Sequence, residues 1–161
     1  LEEDEVDQVR HAAVLHDIEK LAIPESILNK PGPLTEAEWD FIRKHTVIGE
    51  RVLALVPALR RAATLVWSSH ERWDGSGYPD GLAGDQIPVG ARIVAVADAF
   101  SAMTEHRPHA AARSVEDALA ELLACSGTQF DPVVVAAFVS VEQDVLAGAA
   151  SSGSVSLSFP R

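Results

Sequence analysis

The sequence has few of the residues that define several common protein classes. Its 161 residues include a single cysteine, Cys125, so no disulfide can form within the chain, which fits a reducing compartment. No apolar run approaches the roughly 18–20 residues that a membrane-spanning helix requires. The acidic start LEEDEVDQ is not a secretory signal. We therefore predict a cytoplasmic protein with no membrane span in this segment.

Positive charge is also scarce. The chain carries 13 Lys and Arg residues against 24 Asp and Glu residues, for a net charge of −11. A protein that binds the phosphate backbone of DNA needs a basic face, so we predict no DNA partner. An anionic ligand could still bind where a few cations, either side chains or metal ions, are concentrated at one site.

Apolar residues in helical patterns are abundant. Hydrophobic residues make up 47% of the chain, which is sufficient for the core of one compact domain. No segment alternates with a period of two, so the predicted fold class is all-α, a compact helical bundle. We expect a domain over residues 1–146 and a small, polar tail or linker over 147–161. Helices are predicted over residues 2–20, 35–56, 57–70, 88–104, 114–127 and 130–146.

Five polar side chains interrupt the predicted apolar faces. Two of them are adjacent in the run AVLHDIEKLAIP, residues 13–24. Imidazole and carboxylate groups suit divalent iron, manganese or zinc, and a carboxylate can bridge two ions. The alternative for each histidine is a core residue with its hydrogen bonds satisfied. The candidate metal ligands are His16, Asp17, His45, His70 and Asp98.

Asp98 is the sharpest of these cases because it lies in the nearly uniform apolar segment ARIVAVADAFSAM. A buried carboxylate without a partner costs several kcal/mol. Asp98 must therefore be protonated, be exposed to water at an opening of the core, or bind a cation. That cation could be a metal ion or an arginine such as Arg92 or Arg107.

Longer motifs resemble the HD-GYP family, a branch of the HD metal-dependent phosphohydrolases. They are AAVLHDIEKLAIPESILNKPGPLTEAEWDFIRKH, SHERWDGSGYPDGLAGDQIPVGARIVAVADAFSAMT and GTQFDP, and the likeness covers roughly residues 9–139. The resemblance implies about seven helices, a long Gly- and Pro-rich loop and a centre of two or three divalent ions, iron or manganese. It also implies hydrolysis of cyclic di-GMP in bacterial second-messenger signalling.

The resemblance also implies roles for individual residues. The five candidate ligands match family metal ligands, with His16 and Asp17 as the HD pair. Lys20 matches the lysine of the same motif, and we expect Lys20 and Asp17 to act in catalysis. Lys20 would supply positive charge for the phosphate. The signature triplet of the loop, expected to contact substrate or a partner protein, is Gly77, Tyr78 and Pro79. Its alternative is a plain turn between helices.

Several features depart from the family pattern. Ser69 stands where the family has the first histidine of H-H-E, and Glu19 replaces the glycine before Lys20. The family also has a preceding helix with a further histidine, which is not found before Leu1. We therefore predict incomplete metal occupancy, and a chain that is part of a longer protein with an upstream sensory or receiver domain.

These departures leave a second functional hypothesis open. The chain could be a degenerate HD-GYP module that binds cyclic di-GMP, or a GGDEF-domain partner, without turnover. A third hypothesis is a phosphohydrolase acting on another nucleotide, because HD folds serve many substrates.

Overall fold

A computed structural model describes residues 1–18, 23–28, 30–106 and 111–152, with only the backbone described over 149–152. Within these residues the chain forms α-helices and short 3₁₀ turns, and its only β-type pairings are two isolated bridges. The all-α prediction is confirmed. None of the described helices is long and apolar enough to cross a membrane. The helices are α1 (Glu3–Leu15), α2 (Glu25–Leu28), α3 (Glu36–Arg43), α4 (His45–Ala54), α5 (Arg60–Trp67), α6 (Val89–Thr104), α7 (Val115–Ala124) and α8 (Pro132–Ser152).

The buried apolar residues form two clusters that share helix α6. The first joins α6 to α1, α4 and α5, and contains Ala12, Leu53, Ala62, Ala63, Val66 and Val94. The second joins α6 to α7 and α8, and contains Val96, Leu119, Leu122, Phe130 and Val135. Helix α6 therefore lies between both cores, which explains why its sequence is apolar on nearly every side.

A glycine at the start of α6 allows the neighbouring helices to approach closely. A Cβ atom added at Gly90 would lie 2.8 Å from Leu65 Cδ1 of α5 and 2.9 Å from Val9 Cγ2 of α1. Such contacts are too short for a real side chain, so a larger residue would force Leu65 and Val9 to move. This packing places the middle of α1 against the start of α6.

Two predicted helices differ from those observed. The helix predicted over 2–20 ends at Leu15 and continues as a 3₁₀ turn over 16–18, while residues 19–22 lie outside the described residues. The helix predicted over 35–56 is divided at Lys44 into α3 and α4. The Lys44 N–H bonds to the Phe41 carbonyl three residues back, at 3.2 Å. This tighter bond ends α3.

Apart from the end of α8, the remaining helix boundaries agree with the sequence prediction within a few residues. Helix α5 is preceded by a 3₁₀ turn that begins at Pro57, and Ser114 caps α7 by accepting from the Asp117 N–H. Asp131 caps α8, which continues to Ser152 and so includes part of the predicted tail. The domain boundary near residue 146 stays a prediction.

Candidate metal centre

His16 lies immediately after α1, where its ring is held by the backbone and faces two carboxylates. Its Nδ1 lies 2.7 Å from the Ala13 carbonyl oxygen, so Nδ1 carries a proton and donates it. Its Nε2 lies 3.1 Å from Asp17 Oδ1 and 3.2 Å from Asp98 Oδ1. The fold thus brings together three of the five candidate ligands, although Asp98 is 82 residues from His16 in the chain.

The charges around His16 favour a cation at its Nε2. The hydrogen bond with Asp98 raises the pKa of His16 above its ordinary value, while burial opposes this effect. The Ala13 carbonyl and the charge of Asp17 add to the increase in pKa. With Nδ1 already protonated, a neutral His16 would direct its Nε2 lone pair at two anionic oxygens. A proton or a metal ion would relieve that repulsion.

The other two candidate ligands form a second pair. His45 is the first residue of α4 and is buried, and its Nδ1 is hydrogen-bonded to the Ile42 carbonyl. Its Nε2 lies 3.3 Å from Nε2 of His70, which follows α5. The division between α3 and α4 places His45 at the start of a helix. The Nε2 atoms of His45 and His70 face each other at 3.3 Å, as two ligands of one metal ion would.

A cavity lies beside one residue of each group. It has a volume of about 200 Å³, and both His70 and Asp98 line it, together with Ser69 and Tyr78. A separate groove of about 280 Å³ next to Leu1 is lined mainly by apolar residues and contains none of the five candidate ligands. The cavity between His70 and Asp98 is therefore the candidate site.

The donor set fits divalent ions by its chemistry. Neutral imidazole and carboxylate ligands suit zinc, iron and manganese, and the backbone bonds of His16 and His45 fix the Nε2 atoms as the free donors. Within the described ranges, however, no three His, Cys, Asp or Glu side chains are spaced as a formed metal cage. His16 Nε2 instead contacts each of the two carboxylates directly. The single centre predicted for all five residues stays a prediction.

The loop between α5 and α6 contributes an aromatic side chain to this site. The Tyr78 ring stacks on His70 with ring centroids 5.1 Å apart and planes inclined by 15°. It also meets the His45 ring edge-on at 6.2 Å. The triplet of Gly77, Tyr78 and Pro79 thus lies beside the His45–His70 pair.

Glu71 holds this loop in place, a role that the sequence analysis missed. Its carboxylate is buried and accepts backbone N–H groups from Asp80 at 2.7 Å, Gly81 at 3.1 Å and Leu82 at 3.0 Å. Three such bonds satisfy a buried charge that would otherwise be costly. The sequence signal was that Glu71 stands at the glutamate of the H-H-E motif, directly after a candidate ligand.

Glycine is required at position 77 because the loop backbone lies against the segment after His70. A Cβ atom at Gly77 would lie 2.3 Å from the Arg72 nitrogen and 2.6 Å from the Glu71 Cα atom. The Tyr78 N–H bonds to the His70 carbonyl at 3.2 Å. This close approach holds the Tyr78 ring on His70.

Arg92 does not serve as the partner of Asp98. Its Nη1 donates to Asp131 Oδ2 at 2.9 Å and to Asp85 Oδ1 at 3.0 Å, and its Nε donates to the Ile87 carbonyl at 2.7 Å. Arg92 therefore joins the loop before α6 to the start of α8. The other arginine considered for Asp98, Arg107, lies outside the described residues.

Three of the residues singled out in the sequence remain, namely Ser69, Glu19 and Lys20. Ser69 is buried and lines the cavity, but its hydroxyl donates to the Val66 carbonyl at 2.8 Å. Lys20 and Glu19 lie outside the described residues, so their predicted roles stay predictions.

The chain matches a known protein family over most of its length. The HD domain family matches residues 1–134. The chain belongs to the HD domain family. HD phosphohydrolases are metal-dependent enzymes, and the resemblance of this chain to the HD-GYP branch is confirmed.

Curated relatives of this HD domain include several phosphodiesterases. It is 44% identical over 142 residues to a cyclic di-GMP phosphodiesterase of Thermotoga maritima, covering 87% of this chain and 39% of that protein. It is 47% identical over 141 residues to a cyclic di-GMP phosphodiesterase response regulator of Xanthomonas campestris, covering 86% and 37%. A 3'3'-cGAMP-specific phosphodiesterase of Vibrio cholerae is 41% identical over 137 residues, covering 84% and 26%. The HD domain spans about two fifths or less of these relatives.

A solved structure has the same fold. The crystal structure of a cyclic GMP-AMP-specific phosphodiesterase of V. cholerae matches with a TM-score of 0.67 at 24% identity. The match covers 98% of this chain and 42% of that one. The helical arrangement described above is therefore shared with that protein.

Proposed function

We propose that this HD domain hydrolyses a phosphodiester bond of cyclic di-GMP, in bacterial second-messenger signalling. The observation that carries the proposal is the convergence of His16 Nε2 with Asp17 Oδ1 and Asp98 Oδ1, at 3.1 and 3.2 Å. The relatives named as cyclic di-GMP phosphodiesterases support the choice of substrate.

His16, Asp17 and Asp98 would hold one divalent ion, and His45 and His70 would hold another, with Asp17 bridging them. Iron or manganese is the proposed metal, since both accept mixed nitrogen and oxygen ligands. Such ions, when bound, neutralise phosphate charge and lower the pKa of a water molecule. The two Nδ1–H bonds to backbone carbonyls orient His16 and His45 for this purpose.

The cavity next to Asp98 and His70 would receive the scissile phosphate. Lys20 is the proposed source of additional positive charge for the phosphate, and Tyr78 would contact the substrate beside His70. For the longer protein we also propose a GGDEF-domain protein as partner, an upstream sensory or receiver domain and a cytoplasmic location.

The test is an assay of cyclic di-GMP hydrolysis by native protein loaded with manganese or ferrous iron under anaerobic conditions. We expect the linear dinucleotide or GMP as product. Asp17→Ala should abolish both hydrolysis and metal content, because it removes the proposed bridging ligand. Asp144→Ala is the matched control, since Asp144 is exposed on α8 and does not line the cavity.

Two outcomes would overturn the proposal. Native, metal-loaded protein that binds cyclic di-GMP without turnover would indicate the degenerate module instead. Hydrolysis that survives Asp17→Ala at the native rate would mean that the His16 group is not the catalytic centre.

A further inference from the structure

Trp39 differs from the other two tryptophans in its surroundings. Trp67 donates its Nε1–H to Asp80 Oδ2 at 2.6 Å, and the Arg92 guanidinium lies 5.4 Å from the centroid of the Trp73 ring. Trp39 is 42% exposed. Across the parts of the chain that the structure describes, its indole has no hydrogen bond or ring contact. Hydrogen bonds and ring contacts within the described structure therefore do not explain a tryptophan at this position.

Trp39 lines a cleft next to the proposed metal centre. The cleft has a volume of about 530 Å³, which is within the usual range for small-molecule sites. Its wall also includes Arg43, Arg72, Tyr78 and His70. His70 lines the metal-centre cavity as well, so a ligand bound at the centre could extend into this cleft.

The two arginines of the cleft differ in how they are held. Arg72 donates from Nε to Ser76 Oγ at 2.9 Å, and its Nε lies 3.6 Å from Asp74 Oδ1. Contacts within the loop therefore hold the Arg72 side chain. For Arg43, the single side-chain polar contact in the described structure is Nη1 to Asp40 Oδ1 at 3.3 Å. An exposed ion pair of this kind contributes little to stability. Arg43 can therefore give up this pair and bind a ligand instead.

Trp39 and Arg43 are four residues apart on α3, so their side chains share one face of the helix. A nucleobase stacks on an aromatic ring whatever its sequence identity. An arginine can also donate two parallel bonds to O6 and N7 of guanine, whereas adenine has an amino group in place of O6. A phosphate group alone would bind the arginine, but it has no planar face that could stack on the indole.

We propose that Trp39 and Arg43 form a guanine subsite beside the metal centre, with Trp39 stacking on the base and Arg43 selecting guanine. The proposal rests on the function proposed above, because guanine is part of the substrate. Cyclic di-GMP and 3'3'-cGAMP, the substrates named for the relatives, both contain guanine. The subsite would therefore favour cyclic dinucleotides that carry at least one guanine.

Calorimetric titration of the chain with GMP and with AMP, in the presence of a chelator, tests the subsite without any catalysis. Native protein should bind GMP at least about fivefold more tightly than AMP, and Arg43→Gln should remove this preference. Trp39→Leu should weaken the binding of both nucleotides at least about fivefold, with Trp39→Phe retaining part of the affinity. Phe41→Leu and Arg51→Gln, at exposed positions outside the cleft, should bind as the native protein does.

Equal affinity of native protein for GMP and AMP, no binding of either, or native GMP affinity in Trp39→Leu would overturn the subsite. A parallel assay compares cyclic di-GMP with bis(p-nitrophenyl) phosphate, which has no base, under manganese. Trp39→Leu should lower kcat/KM at least about fivefold more for cyclic di-GMP than for the base-free diester, and equal losses would contradict the proposal. If native protein hydrolyses neither compound, the proposed function fails, while the GMP and AMP titrations still decide the subsite.

Discussion

Two glycines of this chain illustrate, at the scale of single residues, how position decides the effect of one methyl group. At Gly77 a Cβ atom would lie 2.3 Å from a backbone nitrogen, whereas at Gly148 on α8 nothing lies within 4 Å. The first glycine is required by packing of the loop against Glu71 and Arg72. The second weakens a helix without any packing benefit.

Alanine at the two positions should have opposite effects on stability. Gly77→Ala should lower the free energy of unfolding by about 1–3 kcal/mol, because the loop must move away from Glu71. It should also reduce hydrolysis, since Tyr78 moves with the loop. Gly148→Ala should raise the free energy of unfolding by up to about 1 kcal/mol. Urea unfolding of both variants measures this, and equal effects would contradict the close packing at Gly77.

Ser69 lines the same cavity as His70 and Asp98, but its hydroxyl is bonded to the Val66 carbonyl. A hydroxyl that keeps its proton is a poorer ligand for a divalent ion than neutral imidazole. Ser69→His should therefore raise metal content per chain, and with it the rate of cyclic di-GMP hydrolysis. Ser69→Ala is the control because it removes the hydroxyl without adding a ligand. Unchanged metal content in Ser69→His, by elemental analysis, would show that position 69 does not limit occupancy.

Some site residues could be predicted from sequence and others could not. His16 and Asp98 interrupt apolar runs, so their inward direction followed from helical periodicity. The role of Glu71 could not be predicted in the same way, because its partners are backbone N–H groups at 80–82. Backbone groups occur at every position, and no side-chain pattern marks which of them a distant carboxylate will bind.

At the scale of helices, α3 depends on the contacts at its start. The Thr35 hydroxyl accepts from the Glu38 N–H, and Glu38 accepts from the Thr35 backbone N–H at 2.6 Å, as the sequence pattern predicts. Glu38 also accepts from Lys30 Nζ at 2.6 Å. The break after Arg43 was not predicted, because one additional 3₁₀ bond at Lys44 does not alter the apolar pattern.

The contacts of Glu38 predict how the stability of α3 depends on pH. The hydrogen bond from Lys30, and those from Thr35, lower the pKa of Glu38 to about 2. A carboxyl with a lowered pKa stabilises the fold above its unfolded pKa, and this contribution is lost as the pH falls through its folded pKa. Glu38→Gln should therefore be less stable than native protein at neutral pH, with a smaller difference at about pH 3.

Urea unfolding of native protein and Glu38→Gln at several pH values tests this dependence. Glu36→Gln is a suitable control, because Glu36 is in the same first turn of α3 and is exposed. A stability difference for Glu38→Gln that is independent of pH would mean that its charge does not contribute to the cap.

At the scale of the whole molecule, α6 connects the architecture to the chemistry. Val94 and Val96 belong to separate cores, and Asp98 follows on the same helix to meet His16 at the end of α1. Two apolar cores therefore fix the position of one carboxylate relative to a distant histidine. Rigid support of this kind is what a metal centre requires of its ligands.

The acidic character of the molecule is consistent with this arrangement. A net charge of −11 repels an anionic substrate, so attraction must come from local cations. Arg43 and Arg72 in the cleft, together with bound divalent ions, would supply it. The metal centre is thus central both to the proposed chemistry and to substrate binding.

The most direct test of this account is anomalous X-ray diffraction from crystals of the chain grown with manganese. We expect an anomalous peak within about 2.0–2.4 Å of His16 Nε2 and of oxygens of Asp17 and Asp98. In that case the direct His16–Asp98 hydrogen bond at 3.2 Å would be replaced by two metal–ligand bonds. A manganese peak elsewhere in the molecule, with that hydrogen bond intact at full metal loading, would contradict it.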